Sequence, residues 1–176
     1  MTKHSRIIST GSRLAVLALA IAATGSAVAA NAIATSTSVV VAPIDITKTT
    51  DLSFGSFAVG ATPGSVTVSP NGNRGVTGGV TGMAGATTAA LFSVTGQTGS
   101  TYTITVTGTD LTSGANSMAF TPVSDLSASA ITSGTVAGGT LSGTAQSLYV
   151  GGVLTVAANQ APGTYTGQVS ATVEYN

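Results

Sequence analysis

Apolar and polar residues alternate along much of this chain with a period of two. The clearest case is residues 101–107, where Tyr102, Ile104 and Val106 alternate with threonines. This spacing puts apolar side chains on one face and hydroxyls on the other, as in a half-buried β-strand. Residues 169–175 alternate in the same way. The pattern predicts a β-strand in each segment.

Shorter runs rich in Val, Ile, Thr and aromatic residues predict further strands between Gly, Pro and Asn. These strands are residues 39–48 with a bend at Pro43, 52–57, 65–68, 89–95, 117–121 and 152–157. Turns are predicted at residues 70–73, which contain Asn-Gly, and at Pro162-Gly163. The Gly-rich residues 74–85 predict a loop or a weak edge strand. Seven or so short strands with frequent turns predict an all-β fold, an immunoglobulin-like antiparallel β-sandwich.

The beginning of the chain has a different pattern. Lys3, Arg6 and Arg13 precede an unbroken apolar run over residues 14–23, and Ala-Val-Ala follows at residues 27–29. This order predicts a secretory signal peptide over residues 1–30, cleaved near Ala29 or Ala30. Its apolar run is about half the roughly 20 residues that cross a bilayer. We therefore expect export without stable membrane insertion.

Charge and composition beyond residue 30 exclude several classes of function. The chain has no Cys, and its single His, His4, lies in the leader. A Ser-His-Asp triad, a Cys nucleophile and a thiolate or imidazole metal site are therefore excluded. Residues 31–176 contain two basic residues, Lys48 and Arg74, and five acidic ones, so their net charge is 2 − 5 = −3. This charge offers no basic surface for binding nucleic acid. We expect no enzyme, no cofactor and no metal.

Two oxygen-based sites are weighed against a simpler role for the acidic residues. Asp45, Asp51, Asp110 and Asp125 are the carboxylates that a glycosidase would need in a pair. Asp125 with Asn71 and Asn73 would offer oxygen ligands to calcium. These residues lie at predicted strand ends and turns without regular ligand spacing, where Asp and Asn usually stabilise turns. Turn residues are the preferred interpretation.

Residues 31–42 form an uncharged segment after the predicted cleavage site, rich in β-branched residues. They are either the first strand of the domain's own sheet or a mobile arm that completes the sheet of another subunit. Pro43 separates them from the next segment, because proline lacks the N–H that a central strand requires. We therefore divide the chain into residues 1–30 (signal peptide), 31–42 (N-terminal arm or first strand) and 43–176 (β-sandwich domain).

Two segments carry a resemblance to a known family. Residues 44–48 (IDITK) with 51–55 (DLSFG), and residues 163–167 (GTYTG) with the strand that follows, resemble the bacterial family known as domain of unknown function 4402. The second segment also resembles the end of chaperone–usher fimbrial subunits. That resemblance implies an immunoglobulin-like fold lacking its last strand. A periplasmic chaperone would first supply the missing strand. The arm of the next subunit would then replace the chaperone's strand during assembly at an outer-membrane usher.

The resemblance therefore implies a secreted structural subunit of a surface fibre, whose partners are other copies of itself or related subunits. Such a subunit would pass through the periplasm to the cell surface or an extracellular fibre. The alternative is a self-contained β-sandwich adhesin or matrix protein that binds carbohydrate or another surface component. The candidate assembly residues are Ile33, Val39, Val40 and Val41 in the arm and Val169, Val173 and Tyr175 in the closing strand.

Overall fold

The structure is a computed structural model that describes residues 29–176. The predicted signal peptide therefore lies almost wholly outside the described residues. Residues 29–44 form neither helix nor strand. The ten strands of the described chain are β1 Asp45–Thr50, β2 Phe57–Val68, β3 Arg74–Gly82, β4 Ala90–Thr95, β5 Thr101–Gly108, β6 Leu111–Ser113, β7 Asn116–Asp125, β8 Gly138–Thr140, β9 Ala145–Val156 and β10 Val169–Tyr175. All ten lie in one compact unit, Val39–Asn176.

The larger sheet is built around β9, and all its pairings are antiparallel. Val150 pairs with Ala90 of β4 and with Ser124 of β7, so β4 and β7 lie on opposite edges of β9. Gly152 likewise pairs with both β2 and β7. Strands β4 and β2 therefore follow one another along the same edge of β9. Strand β1 extends the sheet beyond β4, and β3 extends it beyond β2.

Two adjacent glycines stand where β9 passes from β4 to β2. A Cβ on Gly151 would lie 1.9 Å from the Val68 carbonyl oxygen, and one on Gly152 would lie 2.2 Å from the Phe120 ring. These positions require glycine because the neighbouring backbone and ring approach so closely. The glycines therefore let β9 continue as one strand of 12 residues.

The smaller sheet has the order β10-β5-β8. Its inner face carries Tyr102 and Ile104 of β5 and Val173 of β10, which are buried, while the threonines of β5 are exposed. These inner side chains pack against Phe92 and Val94 of β4 in a first core cluster. The prediction of an all-β antiparallel sandwich is confirmed by this packing of two sheets.

A second core cluster lies on the other half of the larger sheet. It contains Val66, Val68, Val80, Met118, Phe120, Leu154 and Val156, together with Phe54 from the segment between β1 and β2. From the smaller sheet, Val169 at the start of β10 packs against this cluster, and Gly108 at the end of β5 lies close to the Phe120 ring. The other half-buried side chains against it are Leu52, Phe57, Val59, Leu111 and Tyr165. This half of the sandwich is covered mainly by other elements.

Several predicted local features are confirmed. Residues 70–73 form the β2–β3 turn, where Gly72 has φ +82° and donates its N–H to the Ser69 carbonyl at 2.8 Å. Positive φ is the conformation that Asn-Gly supplies at little cost. The Gly-rich segment forms an edge strand, β3, over Arg74–Gly82.

Other strand predictions were wrong in part. The first strand begins at Asp45, so residues 39–44 do not belong to it. The predicted strand over 52–57 is a connection with one isolated bridge, Ser53 to Thr88. Its alternation arises because Leu52 and Phe54 both turn into the core, but Gly55 has φ +66° and ends the extended conformation. The short strands β6 and β8 were not predicted.

Candidate functional site

A groove runs across the surface of the domain between two segments of chain. It consists of two adjoining cavities of about 650 and 300 Å3, which share Leu52, Phe54, Leu111 and Tyr165 in their linings. One side, the first wall, is residues 51–59, with Lys48 at its end. The opposite side, the second wall, is residues 160–169. The groove is therefore bordered by two connecting segments and by the first residue of β10.

The floor of the groove is the hydrophobic core itself. Ala90 and Phe92 of the first cluster and Phe120 of the second line the smaller cavity, and Met118 and Leu154 line the larger one. In an intact sandwich, a second sheet normally covers such side chains. The groove is thus a surface depression beside the second cluster, and the core side chains that form its floor are themselves buried.

Hydrogen bonds to the segment before β4 hold the first wall. Ser53 and Thr88 exchange both backbone bonds, at 2.9 and 3.1 Å, and the Thr88 hydroxyl donates to the Asp51 carbonyl at 2.8 Å. Phe54 then turns into the second cluster, where its ring meets that of Phe120 edge to face at a centroid distance of 6.1 Å. Residues 51–55, which carry the family resemblance, are therefore the part of the wall whose Phe54 side chain packs into the second cluster.

The second wall depends on Tyr165. Its hydroxyl donates to the Ala161 carbonyl at 2.8 Å and accepts from the Gln160 side-chain amide at 2.9 Å. The next residue, Thr166, exchanges both backbone bonds with Thr112 of β6. These bonds fix the course of the chain into β10. Sequence reasoning missed Gln160 and Leu111 as groove residues, because neither lies in a recognisable pattern.

The arm residues proposed for assembly are exposed. Ile33 is 89% exposed, Val39 88%, Val40 93% and Val41 51%. They are four of the seven large apolar residues found exposed in residues 29–176. Val39, Val40 and Val41 are consecutive, and a contiguous exposed apolar patch often marks an interaction site.

The closing-strand residues occupy three different positions. Val169 lines the smaller cavity and packs against both core clusters, so it belongs to the groove. Val173 is buried in the first cluster and contributes to the domain's own core. The Tyr175 hydroxyl accepts from the Gln97 N–H at 2.6 Å and donates to the Ala42 carbonyl at 2.9 Å. Tyr175 thus holds the end of the arm at the end of β10.

Three of the candidate carboxylates make local bonds. Asp51 pairs with Lys48, with 2.5 Å between Oδ1 and Nζ, and Asp110 accepts from the Phe120 N–H at 3.2 Å. The Asp125 carboxylate accepts from the Leu126 N–H at 2.7 Å and from the Ser127 hydroxyl at 3.0 Å. The pKa of Asp125 is lowered from its ordinary value, first by the nearby Ser129 hydroxyl, although that hydroxyl lies outside hydrogen-bond geometry. The bonds from residues 126 and 127 add to this effect, and desolvation opposes it. These are the bonds of turn and connection residues.

Burial affects one further titratable group. Tyr102 lies in the first core cluster, and its hydroxyl donates to the Gln146 side-chain oxygen at 2.9 Å. Removal from water raises its pKa above the ordinary value. It lies on the inner face of the smaller sheet and does not line the groove.

Across residues 29–176, no group of three or more His, Cys, Asp or Glu side chains is placed to hold a metal ion. The same residues contain no helix with the length and apolarity to cross a bilayer.

The geometry defines a class: an all-β antiparallel sandwich with an open groove and an uncharged, exposed N-terminal segment. Comparison with known proteins gives the family. Residues 44–175 match the family model described as Domain of unknown function (DUF4402), and the chain belongs to this family. No curated protein and no solved structure matches it. The resemblance noted in residues 44–55 and 163–176 to this family is therefore confirmed.

Proposed function

We propose that this protein is an exported structural subunit of a bacterial surface fibre, in which the arm of one copy occupies the groove of the next. The observation that carries the proposal is a groove floored by core side chains, in a chain that also has an uncharged, exposed apolar segment. The chaperone and usher named above remain proposed partners. Catalysis and cofactors have no part in this function.

The composition of the arm supports its role as a strand. Counting from residue 33, each odd-numbered position carries a β-branched residue: Ile33, Thr35, Thr37, Val39 and Val41. Such residues favour strands, and a period of two places them all on one face. The 12 residues of the arm would span roughly 40 Å as a strand. The arm therefore has the pattern of a strand with one β-branched face.

Charge also supports the pairing. The arm carries no charged residue. The charged residues of the groove lining are Lys48 and Asp51, which are paired with each other at its end. An uncharged strand therefore enters without leaving a buried ion unpaired, a defect that would cost several kcal/mol.

The free edge of the smaller sheet offers backbone partners. Strand β10 is the outer strand of that sheet, and its paired edge faces β5. Outer strands present unpaired N–H and C=O groups to an incoming strand. An arm that enters beside Val169 would meet such groups at the start of β10 and bury its β-branched face over the second cluster.

The proposal is tested by a matched pair of charge substitutions in the arm. Val39→Asp places a carboxylate on the β-branched face, whereas Ser38→Asp places the same charge on the opposite face. We expect Val39→Asp to abolish assembly and Ser38→Asp to retain it, by light scattering and electron microscopy of secreted protein. Both variants should stay folded by circular dichroism. Unchanged assembly of Val39→Asp, or a wild type that remains monomeric, would contradict the proposal.

The second candidate function is binding of carbohydrate or another surface component by a self-contained domain. The larger cavity favours it, because its size suits a small ligand and it is lined by Phe57 and Tyr165. Against it, the Tyr165 hydroxyl and the Gln160 amide already bond each other and nearby carbonyls. A glycan array probed with Val39→Asp distinguishes the two, since ligand binding by a domain would survive that substitution.

A further inference from the structure

Arg74, the first residue of β3, reaches back to the first wall of the groove. Its Nη1 donates to the carbonyls of Phe54 at 3.1 Å and Ser56 at 2.9 Å, and Nη2 donates to the Met83 carbonyl at 2.7 Å. The guanidinium thus joins the wall to the residue that follows β3. Both Ser56 and Met83 also line the larger cavity.

The surroundings of the guanidinium are fitted to it. A Cβ on Gly55 would lie 2.9 Å from Nη1, and one on Gly82 would lie 2.8 Å from Nη2. Gly55 also has φ +66°, which turns the Phe54 and Ser56 carbonyls around the charged group. The salt bridge found in the described residues joins Lys48 to Asp51. The Arg74 guanidinium therefore binds backbone carbonyls and no carboxylate among these residues.

Apart from Arg74, the hydrogen bonds of the wall lie mainly around Ser53, with one more at Ser56. Between the end of β1 at Thr50 and the start of β2 at Phe57, its backbone pairing to the rest of the sheet is the isolated bridge from Ser53 to Thr88. The Met83 N–H adds one bond to the Ser56 carbonyl at 3.0 Å. A shift of this segment would change the separation of the two walls.

We propose that Arg74 is a positioning residue that fixes the first wall and so sets the width of the groove for the incoming strand. The effect of Arg74 on assembly rests on the proposed function. Its effect on the position of the first wall does not. A lysine cannot replace the arginine, because one ammonium lacks the planar fork that spreads donors over three carbonyls.

The experiment compares three forms of the protein, each expressed from the full chain: wild type, Arg74→Lys and the control Ser124→Ala. Arg74→Lys keeps the charge and removes the fork. Ser124 is buried, and its hydroxyl accepts from the Val136 N–H at 3.1 Å, away from the groove lining. Both variants lose hydrogen bonds, so the control accounts for a general loss of stability. The measurements are amide hydrogen exchange, thermal unfolding and the rate of assembly.

We expect Arg74→Lys to speed exchange of the Ser53 and Met83 amides at least tenfold and to slow assembly at least tenfold. Ser124→Ala should lower the unfolding temperature without either effect. If the Ser53 and Met83 amides exchange in Arg74→Lys at the same rate as in the wild type, the positioning role is overturned, whether or not the protein assembles. Faster exchange with unchanged assembly would show that the groove's width does not govern strand entry. If wild type never assembles, the proposed function fails, and the exchange result still decides the role of Arg74.

Discussion

Replacing Phe54 by alanine tests whether the first wall is part of the core. Phe54 comes from a connecting segment, yet it is only 7% exposed and packs among Val66, Met118 and Leu154 in the second cluster. Phe-to-Ala changes in cores cost about 3–5 kcal/mol. The edge-to-face contact with Phe120 accounts for about 0.5–1.5 kcal/mol of such a loss. Against a typical domain stability of about 5–15 kcal/mol, this is a large fraction.

The assay is urea unfolding followed by circular dichroism, with thermal unfolding in parallel. At about 2–4 °C per kcal/mol for a chain of this size, the unfolding temperature should fall by roughly 6–20 °C. Phe57→Ala is the matched control, since Phe57 is only half-buried against the same cluster and should cost less. A Phe54→Ala loss below about 1 kcal/mol, or one no larger than that of Phe57→Ala, would refute the core assignment of the wall.

Three further predictions concern the fold around the groove. Gly151→Ala should strongly lower the unfolding temperature, because its Cβ would meet a backbone oxygen at 1.9 Å, whereas Gly143→Ala, with open space around it, should be nearly neutral in the same assay. Tyr175→Phe removes two hydrogen bonds and should cost about 1–2 kcal/mol in urea unfolding, with faster proteolysis at the end of the arm; unchanged proteolysis would contradict this role. The lowered pKa of Asp125 means that its stabilisation is present above the ordinary Asp pKa of about 3.9 and is lost as pH falls through the lowered value. Asp125→Asn should therefore weaken the fold slightly at pH 7 and not in strong acid, and an equal loss at both would contradict the shift.

The sheets could be predicted where burial is one-sided. Strands β5 and β10 alternate strictly, because one face of each packs into the sandwich and the other faces water. The first half of β9 was missed for a physical reason. Gly151 and Gly152 have the appearance of a strand boundary in sequence, but in the fold they make room for Val68 and Phe120 while the strand continues.

The groove was less predictable than the sheets. Its walls are connecting segments, and their positions depend on contacts between residues far apart in sequence, such as Arg74 with Phe54 and Thr112 with Thr166. Alternation at Leu52 and Phe54 correctly indicated burial but not the backbone conformation, because Gly55 adopts a positive φ. The family resemblance identified the wall segment without giving its role.

Cross-linking between copies determines whether the arm of one copy lies in the groove of another. The chain has no Cys, so introduced cysteines give unambiguous products. One copy carries Val39→Cys in the arm, and the other carries Thr166→Cys on the exposed second wall or, as control, Thr107→Cys on the exposed outer face of β5. After treatment with a short bis-maleimide, we expect heterodimers with Thr166→Cys and few with Thr107→Cys, identified by mass spectrometry. Equal yields from both positions, or closure only within single chains when Val39→Cys and Thr166→Cys are combined, would contradict this expectation.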